Sequence, residues 1–147
     1  MNTKTVIAAW ICALAFAAPA LAQQVGPTLY KRLGGYDALA AVTDDFLARL
    51  STDASFGRFF VGHSTDSIKR IRQHIVDQLC AATGGPCAYI GRDMKSSHAG
   101  LGIGEKDWDG SGKHLVATLD KFNVPVKEKD EVLAMVGTLK KDIVEKP

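Results

Sequence analysis

The sequence predicts a single all-α domain. Apolar residues recur every three or four positions in four separate stretches, and no stretch alternates apolar and polar residues as a strand does. The chain has 147 residues, of which 46% are hydrophobic, which suits one domain with a single core. Its formal net charge is only +2 and no basic stripe is interleaved with aromatic residues, so nucleic acid is not an expected partner.

We interpret the first 22 residues as a secretory signal peptide that is not part of the fold. An apolar run over 6–18 is followed by Ala20-Leu21-Ala22, a sequence that suits cleavage before Gln23. The alternative is an uncleaved membrane anchor, although the run is shorter than the ~20 residues that a bilayer-spanning helix needs. We therefore expect a signal peptide over 1–22, a domain over 23–147 without membrane attachment, and a periplasmic or secreted location.

Four helices are expected from the apolar periodicity of the remaining chain. The first covers about 36–50, and the second starts near Ser64 or Asp66 and stops before Gly84. A third and a fourth follow, and Pro125 suits the start of the fourth. The apolar positions that define the four helices are, in chain order, Leu39, Val42, Phe46 and Leu50, then Ile68, Ile71, Ile75 and Leu79, then Trp108, Leu115, Leu119 and Phe122, then Val132, Val136, Leu139 and Ile143.

Cys80 and Cys87 are the only cysteines outside the signal sequence. An oxidising compartment favours a disulfide between them, and two reduced thiols are the alternative. Neither lies in a Cys-x-x-Cys-His sequence that attaches haem, and no further cysteine or adjacent histidine completes a set of four metal ligands. A bridge would fasten the turn Gly84-Gly85-Pro86 to the helix before it.

The connection between the second and third helices is long and irregular. Roughly twenty residues show little helical periodicity, and six glycines lie in and beside them. Such a segment inside a compact domain usually serves a function or is disordered. Here it delivers one histidine, His98, at the end of a loop punctuated by glycines, an arrangement that can hold an imidazole against a bound iron.

Three motifs, in this order, resemble the truncated haemoglobins and specifically their group I branch. They are Leu29-Tyr30-Lys31-Arg32-Leu33-Gly34-Gly35, then Phe59-Phe60, then the segment over 84–101 in which Gly91-Arg92-Asp93-Met94 precedes His98. The resemblance covers about 28–144. It implies a truncated, 2-on-2 globin fold in which two helix pairs sandwich a b-type haem. The glycine pairs at 34/35 and 84/85 match the chain-reversal points of that family, where a positive φ favours glycine.

The resemblance assigns His98 as the proximal iron ligand, a neutral imidazole whose other nitrogen donates to a carbonyl or to water. Without the resemblance, a solvent-exposed loop histidine would be the simpler interpretation. Phe60 matches the aromatic residue that packs against the haem face, with Phe59 as its neighbour in the core.

Three further positions of the family line the proximal side of the haem, and here they are occupied by Tyr89, Arg92 and Met94. Arg92 suits a haem propionate, since guanidinium matches carboxylate geometry, or is a solvated loop charge. Met94 is expected to contact the haem through its apolar side chain, because it shares a short turn with His98 and cannot reach the opposite face.

The distal side departs from the group I pattern. Leu47 occupies the position where group I members typically carry tyrosine, and Ile71 or Ile75 stands where they often carry glutamine. His74 is the candidate replacement: it binds the iron directly, swings away, or lies at the pocket rim and points to solvent. Two other histidines are assigned to the surface, His63 and His114.

Three functions follow from these residues. The preferred one is reversible binding of the diatomic gases oxygen, nitric oxide or carbon monoxide. The second is a redox protein, either a bis-histidyl electron carrier served by a redox partner or reductase, or an enzyme such as a nitric oxide dioxygenase or peroxidase. The third is a helical module without haem. An absorption spectrum separates the three.

Overall fold

The structure, a computed structural model, describes residues 26–146, so the predicted signal sequence over 1–22 lies outside the described residues. This part of the chain is helical and contains no strand, only an isolated bridge between Gly104 and Lys146, so the all-α prediction is confirmed. Within it, no helix is both long and apolar enough to cross a bilayer. The helices are α1 (Leu29–Arg32), α2 (Gly35–Thr52), α3 (Thr65–Ala82), α4 (Met94–His98), α5 (Glu105–Lys121), α6 (Val126–Gly137) and α7 (Lys140–Ile143), with a 3-10 turn at Gly57–Phe59.

The two long helices α2 and α3 pack against each other and agree with the predicted boundaries. Gly34 and Gly35, with φ of 96° and 80°, reverse the chain between α1 and α2. The hydroxyl of Ser64 caps α3 by accepting a hydrogen bond from the N–H of Ser67. α3 ends before Gly84, which again has a positive φ of 82°.

Asp45 joins α2 to α5. Its carboxylate accepts hydrogen bonds from the hydroxyl of Thr118 at 2.9 Å, from Nε of Arg49 at 2.7 Å and from the ammonium of Lys121. The side chain of Asp45 is only 13% exposed, and Thr118 is fully buried. Lys121 and then Arg49 hold the pKa of Asp45 well below its usual range, so the carboxylate stays charged.

The buried core lies where α2, α5 and α6 meet. Its centre is formed by Val42, Leu119 and Val132. The short helix α1 packs on this core through Leu29 and Leu33, and it is tied to the end of α3 because the N–H of Tyr30 donates to the carbonyl of Thr83 at 2.8 Å. Partly buried apolar residues pack around this centre, namely Leu29, Leu33, Leu115, Val124, Leu133 and Val136.

The predicted fourth helix is interrupted, so the prediction of one helix through Ile143 is wrong. α6 ends at Gly137 and α7 begins at Lys140. The N–H groups of Thr138 and Leu139 bond to carbonyls three residues back, at 3.2 and 2.9 Å, which tightens the chain into a turn. Gly137 and Thr138 are both poor helix formers, and periodicity alone carries no sign of that break.

The predicted disulfide is confirmed: Cys80, fully buried near the end of α3, is bonded to Cys87. The turn between them depends on the close approach of Gly85, whose N–H donates to the carbonyl of Cys80 at 2.8 Å. A Cβ at position 85 would lie 2.6 Å from the ring of Tyr30 and 2.7 Å from Sγ of Cys80. Glycine is required here for space, whereas at Gly84 it is required for its positive φ.

Candidate functional site

His98 is the last residue of α4, a helix of only five residues. The prediction that His98 ends an irregular loop is therefore corrected, because one helical turn precedes it. Asp93 caps that turn, accepting from the N–H and the hydroxyl of Ser96 at 2.8 and 2.9 Å. The same N–H keeps the pKa of Asp93 below its usual value. The capping residue is visible in the sequence, but one turn is too short to produce a periodic pattern.

The ring of His98 has a fixed orientation and a defined tautomer. Its Nδ1 lies 2.8 Å from the carbonyl oxygen of Met94, one helical turn earlier. Because a carbonyl can only accept, Nδ1 carries the hydrogen, and in the neutral ring Nε2 keeps its lone pair. A histidine held in this way by a backbone carbonyl is suited to bind a metal through its other nitrogen.

A second restraint holds the loop that follows His98. The N–H groups of Gly100 and Gly102 both donate to the carboxylate of Glu145, each at 2.6 Å. These two bonds hold the pKa of Glu145 below its usual value. Glu145 has no signal in the sequence, since no motif marks a contact between residues more than forty positions apart.

His74 lies in the middle of α3, and its Nδ1 is the one buried side-chain nitrogen or oxygen without a hydrogen-bond partner within 26–146. Its ring meets the ring of Tyr89 edge to face, with 6.1 Å between centroids. The hydroxyl of Tyr89 donates to the carbonyl of Arg92 at 2.5 Å. The structure therefore brings a histidine of α3 together with the segment that leads to His98. A buried polar atom without a partner costs about 1–3 kcal/mol and calls for an explanation.

The apolar residues that the resemblance assigns to the proximal or distal side are only half-buried, unlike the core residue Val42. They are Leu47, Phe60, Ile71, Ile75 and Met94. Apolar side chains that are only partly buried leave surface on which a flat apolar ligand can pack. The side chain of Arg92 is exposed, as either of its two interpretations requires.

The structure changes two predictions about burial near the corner between α2 and α3, one for Phe59 and one for His114. Phe56, 6% exposed, is the buried aromatic residue, whereas Phe59, predicted for the core, is half-buried under the guanidinium of Arg58. His114 was predicted at the surface, but it is half-buried against the ring of Phe56 and donates from Nε2 to Asp53 at 2.9 Å. The prediction for Phe59 and that for His114 are wrong, because α5 passes beneath this corner and burial there depends on tertiary packing. His63 is exposed, as predicted.

These residues fit an iron porphyrin. His98 offers a nitrogen lone pair with its other nitrogen already engaged, His74 has a buried nitrogen that no protein group within 26–146 satisfies, and the apolar residues assigned to the two haem faces are half-buried. A planar apolar group with a central metal matches all three features.

Comparison with known proteins agrees with this geometry. The profile of a family described as bacterial-like globin matches residues 28–145. A group 1 truncated haemoglobin from Nostoc commune is 34% identical over 119 residues, which is 81% of this chain and 98% of that protein. One from Mycolicibacterium paratuberculosis is 32% identical over 116 residues, 79% of this chain and 83% of that protein.

Solved structures of truncated haemoglobins share the fold. The Fe(III) form from Tetrahymena pyriformis superposes with a TM-score of 0.73 at 27% identity, over 80% of this chain and 98% of that one. A 2/2 haemoglobin from a Synechococcus species, solved in the cyanomet state with covalently attached haem, gives 0.73 at 29% identity with the same coverage. The expected 2-on-2 globin fold is thereby confirmed.

Proposed function

Because the chain belongs to the bacterial-like globin family and is a haem-binding globin, we propose that it binds oxygen, nitric oxide or carbon monoxide reversibly beside a b-type haem. The observation that carries the proposal is the hydrogen bond from Nδ1 of His98 to the carbonyl of Met94, 2.8 Å long. It leaves Nε2 as the free nitrogen of a neutral ring. Haem iron, when bound, would supply a metal centre able to coordinate a small gas molecule.

His98 would hold the iron through Nε2. The carbonyl of Met94 fixes the ring orientation and raises the basicity of the imidazole, as such partners do at metal sites. Tyr89, Met94 and Phe60 supply apolar contact to the haem face, and Arg92 pairs with a propionate.

The distal side determines how strongly a gas is held. Leu47, Ile71 and Ile75 have no hydrogen-bond donors in their side chains, so they cannot stabilise a polar bound gas. One missing neutral hydrogen bond costs about 0.5–1.5 kcal/mol, up to roughly tenfold in affinity. His74 is the remaining donor or ligand on this side, and its unpartnered Nδ1 supports that role.

A haem redox protein is the second candidate, and the buried nitrogen of His74 favours it as well. If His74 and His98 both bind the iron, the protein is a bis-histidyl electron carrier that needs a redox partner or reductase. Nitric oxide dioxygenase or peroxidase activity would belong to the same class, and it requires His74 to leave the iron so that a substrate can enter.

Absorption spectra of the purified protein test the proposal. We expect a Soret band in the ferric and ferrous states, and a shift of the ferrous band on addition of carbon monoxide that reverses when the gas is removed. Absence of a Soret band in protein expressed with ample haem would contradict haem binding. A six-coordinate ferrous spectrum that carbon monoxide does not change would favour electron transfer over gas binding.

The haem is proposed to be non-covalent haem b. Cys80 and Cys87 are bonded to each other, so neither thiol is available to add to a haem vinyl group. Acidified acetone should therefore extract the haem, and the pyridine haemochrome of the extract should be that of protoporphyrin IX. Haem that stays with the protein after extraction would disprove this part of the proposal.

We also propose export to a periplasmic or extracellular compartment. The disulfide supports this, because such bridges persist in oxidising compartments. Fractionation of the native host should place the protein outside the cytoplasm, with a mass that corresponds to a chain beginning at Gln23. A cytoplasmic protein that retains residues 1–22 would contradict the proposal.

A further inference from the structure

The residues after α7 lie along the loop that follows His98. The backbone N–H groups of Glu145 and Lys146 both donate to the carbonyl of the buried Ile103, at 2.9 and 3.2 Å. Gly104 and Lys146 form a parallel bridge at the same place. This backbone pairing holds the side chain of Glu145 next to the loop.

The carboxylate of Glu145 fills an anion-binding concavity of that loop. Its Oε1 accepts from the N–H of Gly100 and its Oε2 from the N–H of Gly102, each at 2.6 Å. Both glycines have positive φ, 82° and 64°, a conformation that directs nearby N–H groups toward one anion. Bonds from N–H groups to a carboxylate are shorter and about twice as strong as those to a neutral acceptor.

The loop is directly coupled to His98. The carbonyl of His98 accepts from the N–H of Leu101 at 3.2 Å, and Gly100 is only two residues beyond the histidine. A helix of a single turn does not hold its own geometry in water. Asp93 fixes the beginning of α4, and Glu145 binds Gly100 and Gly102, the loop residues two and four positions after its end.

We infer that Glu145 is a positioning residue for His98: by binding the N–H groups of Gly100 and Gly102 it fixes the end of α4, and with it the direction in which Nε2 approaches the iron. The inference rests on the proposed role of His98 as the iron ligand. Glu145 lies in the C-terminal tail, 45 residues beyond Gly100, and acts on His98 through the loop.

The test compares Glu145→Ala and Glu145→Gln with Asp142→Ala in haem-loaded protein. Asp142 is a matched control, because it is a carboxylate of the same tail whose side chain makes no hydrogen bond within the part of the chain that the structure describes. Two quantities are measured: the rate at which ferric haem passes to excess apomyoglobin, and the iron–histidine stretching band of the carbon monoxide photoproduct. The band reports on ligand geometry, which a change of global stability alone does not move.

Glu145→Ala should release haem about tenfold faster than wild type, since two N–H groups lose a charged acceptor, and its stretching band should shift or broaden. Glu145→Gln keeps one accepting oxygen, so its rate of haem release should lie between those of wild type and Glu145→Ala. Asp142→Ala should match wild type. The glutamine variant provides the measurement if the alanine variant does not fold.

Equal haem loss and an unchanged band in Glu145→Ala, Glu145→Gln and Asp142→Ala would overturn the inference while leaving haem binding intact. Failure of the proposed function has a different signature, because wild-type protein would then bind no haem, or His98→Ala would keep the wild-type band.

Discussion

The two histidines proposed to face the haem are held in opposite ways. His98 is restrained at its ring by the carbonyl of Met94, before its helix by Asp93 and after it by Glu145. His74 sits in a long, well-packed helix, yet its buried Nδ1 has no partner within the described range. The backbone of His74 is therefore fixed by its helix, whereas Nδ1 of its ring is held by no protein group in that range.

This contrast has a functional meaning. A ligand that must stay on the iron through every cycle benefits from restraints that keep its geometry constant. A side chain that exchanges with a gas ligand must not be hydrogen-bonded to another protein group. The structure supplies the first condition at His98 and the second at His74.

Removal of the restrained ligand should have the largest effect. We expect His98→Ala to be purified with little or no haem, or with haem that depends on added imidazole, because the iron loses its protein ligand. Haem content per chain and the ferrous spectrum measure this. His63→Ala is the control, since His63 is an exposed histidine outside the proposed site. Normal haem content and an unchanged ferrous spectrum in His98→Ala would exclude the assignment.

Reduction of the disulfide should lower the free energy of unfolding by about 2–3 kcal/mol, as expected for a short loop of this length. The bridge joins α3, which carries His74, to the segment that carries Tyr89, so its loss should loosen the contact between those two rings. Urea unfolding with and without reductant measures the change. The double variant with Cys80→Ala and Cys87→Ala controls for the reductant and should not respond to it. Equal unfolding midpoints for oxidised and reduced wild type would contradict the prediction.

Replacement of His74 should change the rate of carbon monoxide binding more than the haem content. If His74 competes for the iron, His74→Leu should convert a six-coordinate ferrous spectrum to a five-coordinate one. It should also raise the carbon monoxide association rate by about tenfold, because an internal ligand reduces binding by the fraction of closed protein. Flash photolysis measures the rate, and His63→Leu is the matched control. A wild-type protein that is already five-coordinate, with an unchanged rate in His74→Leu, would make His74 a rim residue.

The parts of the structure that sequence predicted are those with a local signal. Helices α2 and α3 are long enough to show periodicity, and their predicted boundaries agree with the structure to within two residues. The disulfide followed from the presence of two cysteines in a chain interpreted as exported. The fold was predicted from the motifs at Gly34-Gly35, Phe60 and His98. Their significance came from the resemblance to a known family and not from apolar periodicity.

The parts that escaped prediction depend on contacts distant in sequence or on elements too short for a pattern. α4 has a single turn, and the break after Gly137 requires only two residues. The burial of Phe56 in place of Phe59 is decided by α5, more than fifty residues away along the chain. Glu145 could not be predicted for the same reason. Its role depends on two glycine N–H groups that only the tertiary structure brings close to its carboxylate.

The smallest loss of stability is expected from a change at Asp45, which joins α2 to α5. Asp45→Asn removes the charge that joins α2 to α5, but its amide oxygen can still accept from the buried hydroxyl of Thr118, and Arg49 and Lys121 are partly solvated. We therefore expect a loss of about 1 kcal/mol in the free energy of unfolding and no change in the haem spectrum. Asp44→Asn is the control, since Asp44 is an exposed neighbour paired with Arg72.

The pH dependence of that loss has a definite sign. The pKa of Asp45 is lowered in the folded protein, first by Lys121 and then by Arg49, so the unfolded chain takes up a proton at a higher pH than the folded one. The stabilisation from Asp45 is fully present above the unfolded pKa, near 4, and declines as the pH falls below it. The gap in stability between wild type and Asp45→Asn should thus be constant from pH 6 to 8 and should narrow below about pH 4. Urea unfolding at each pH measures the gap, and a gap that widens on acidification would mean that Asp45 is not a charged partner of Lys121 and Arg49 in the folded protein.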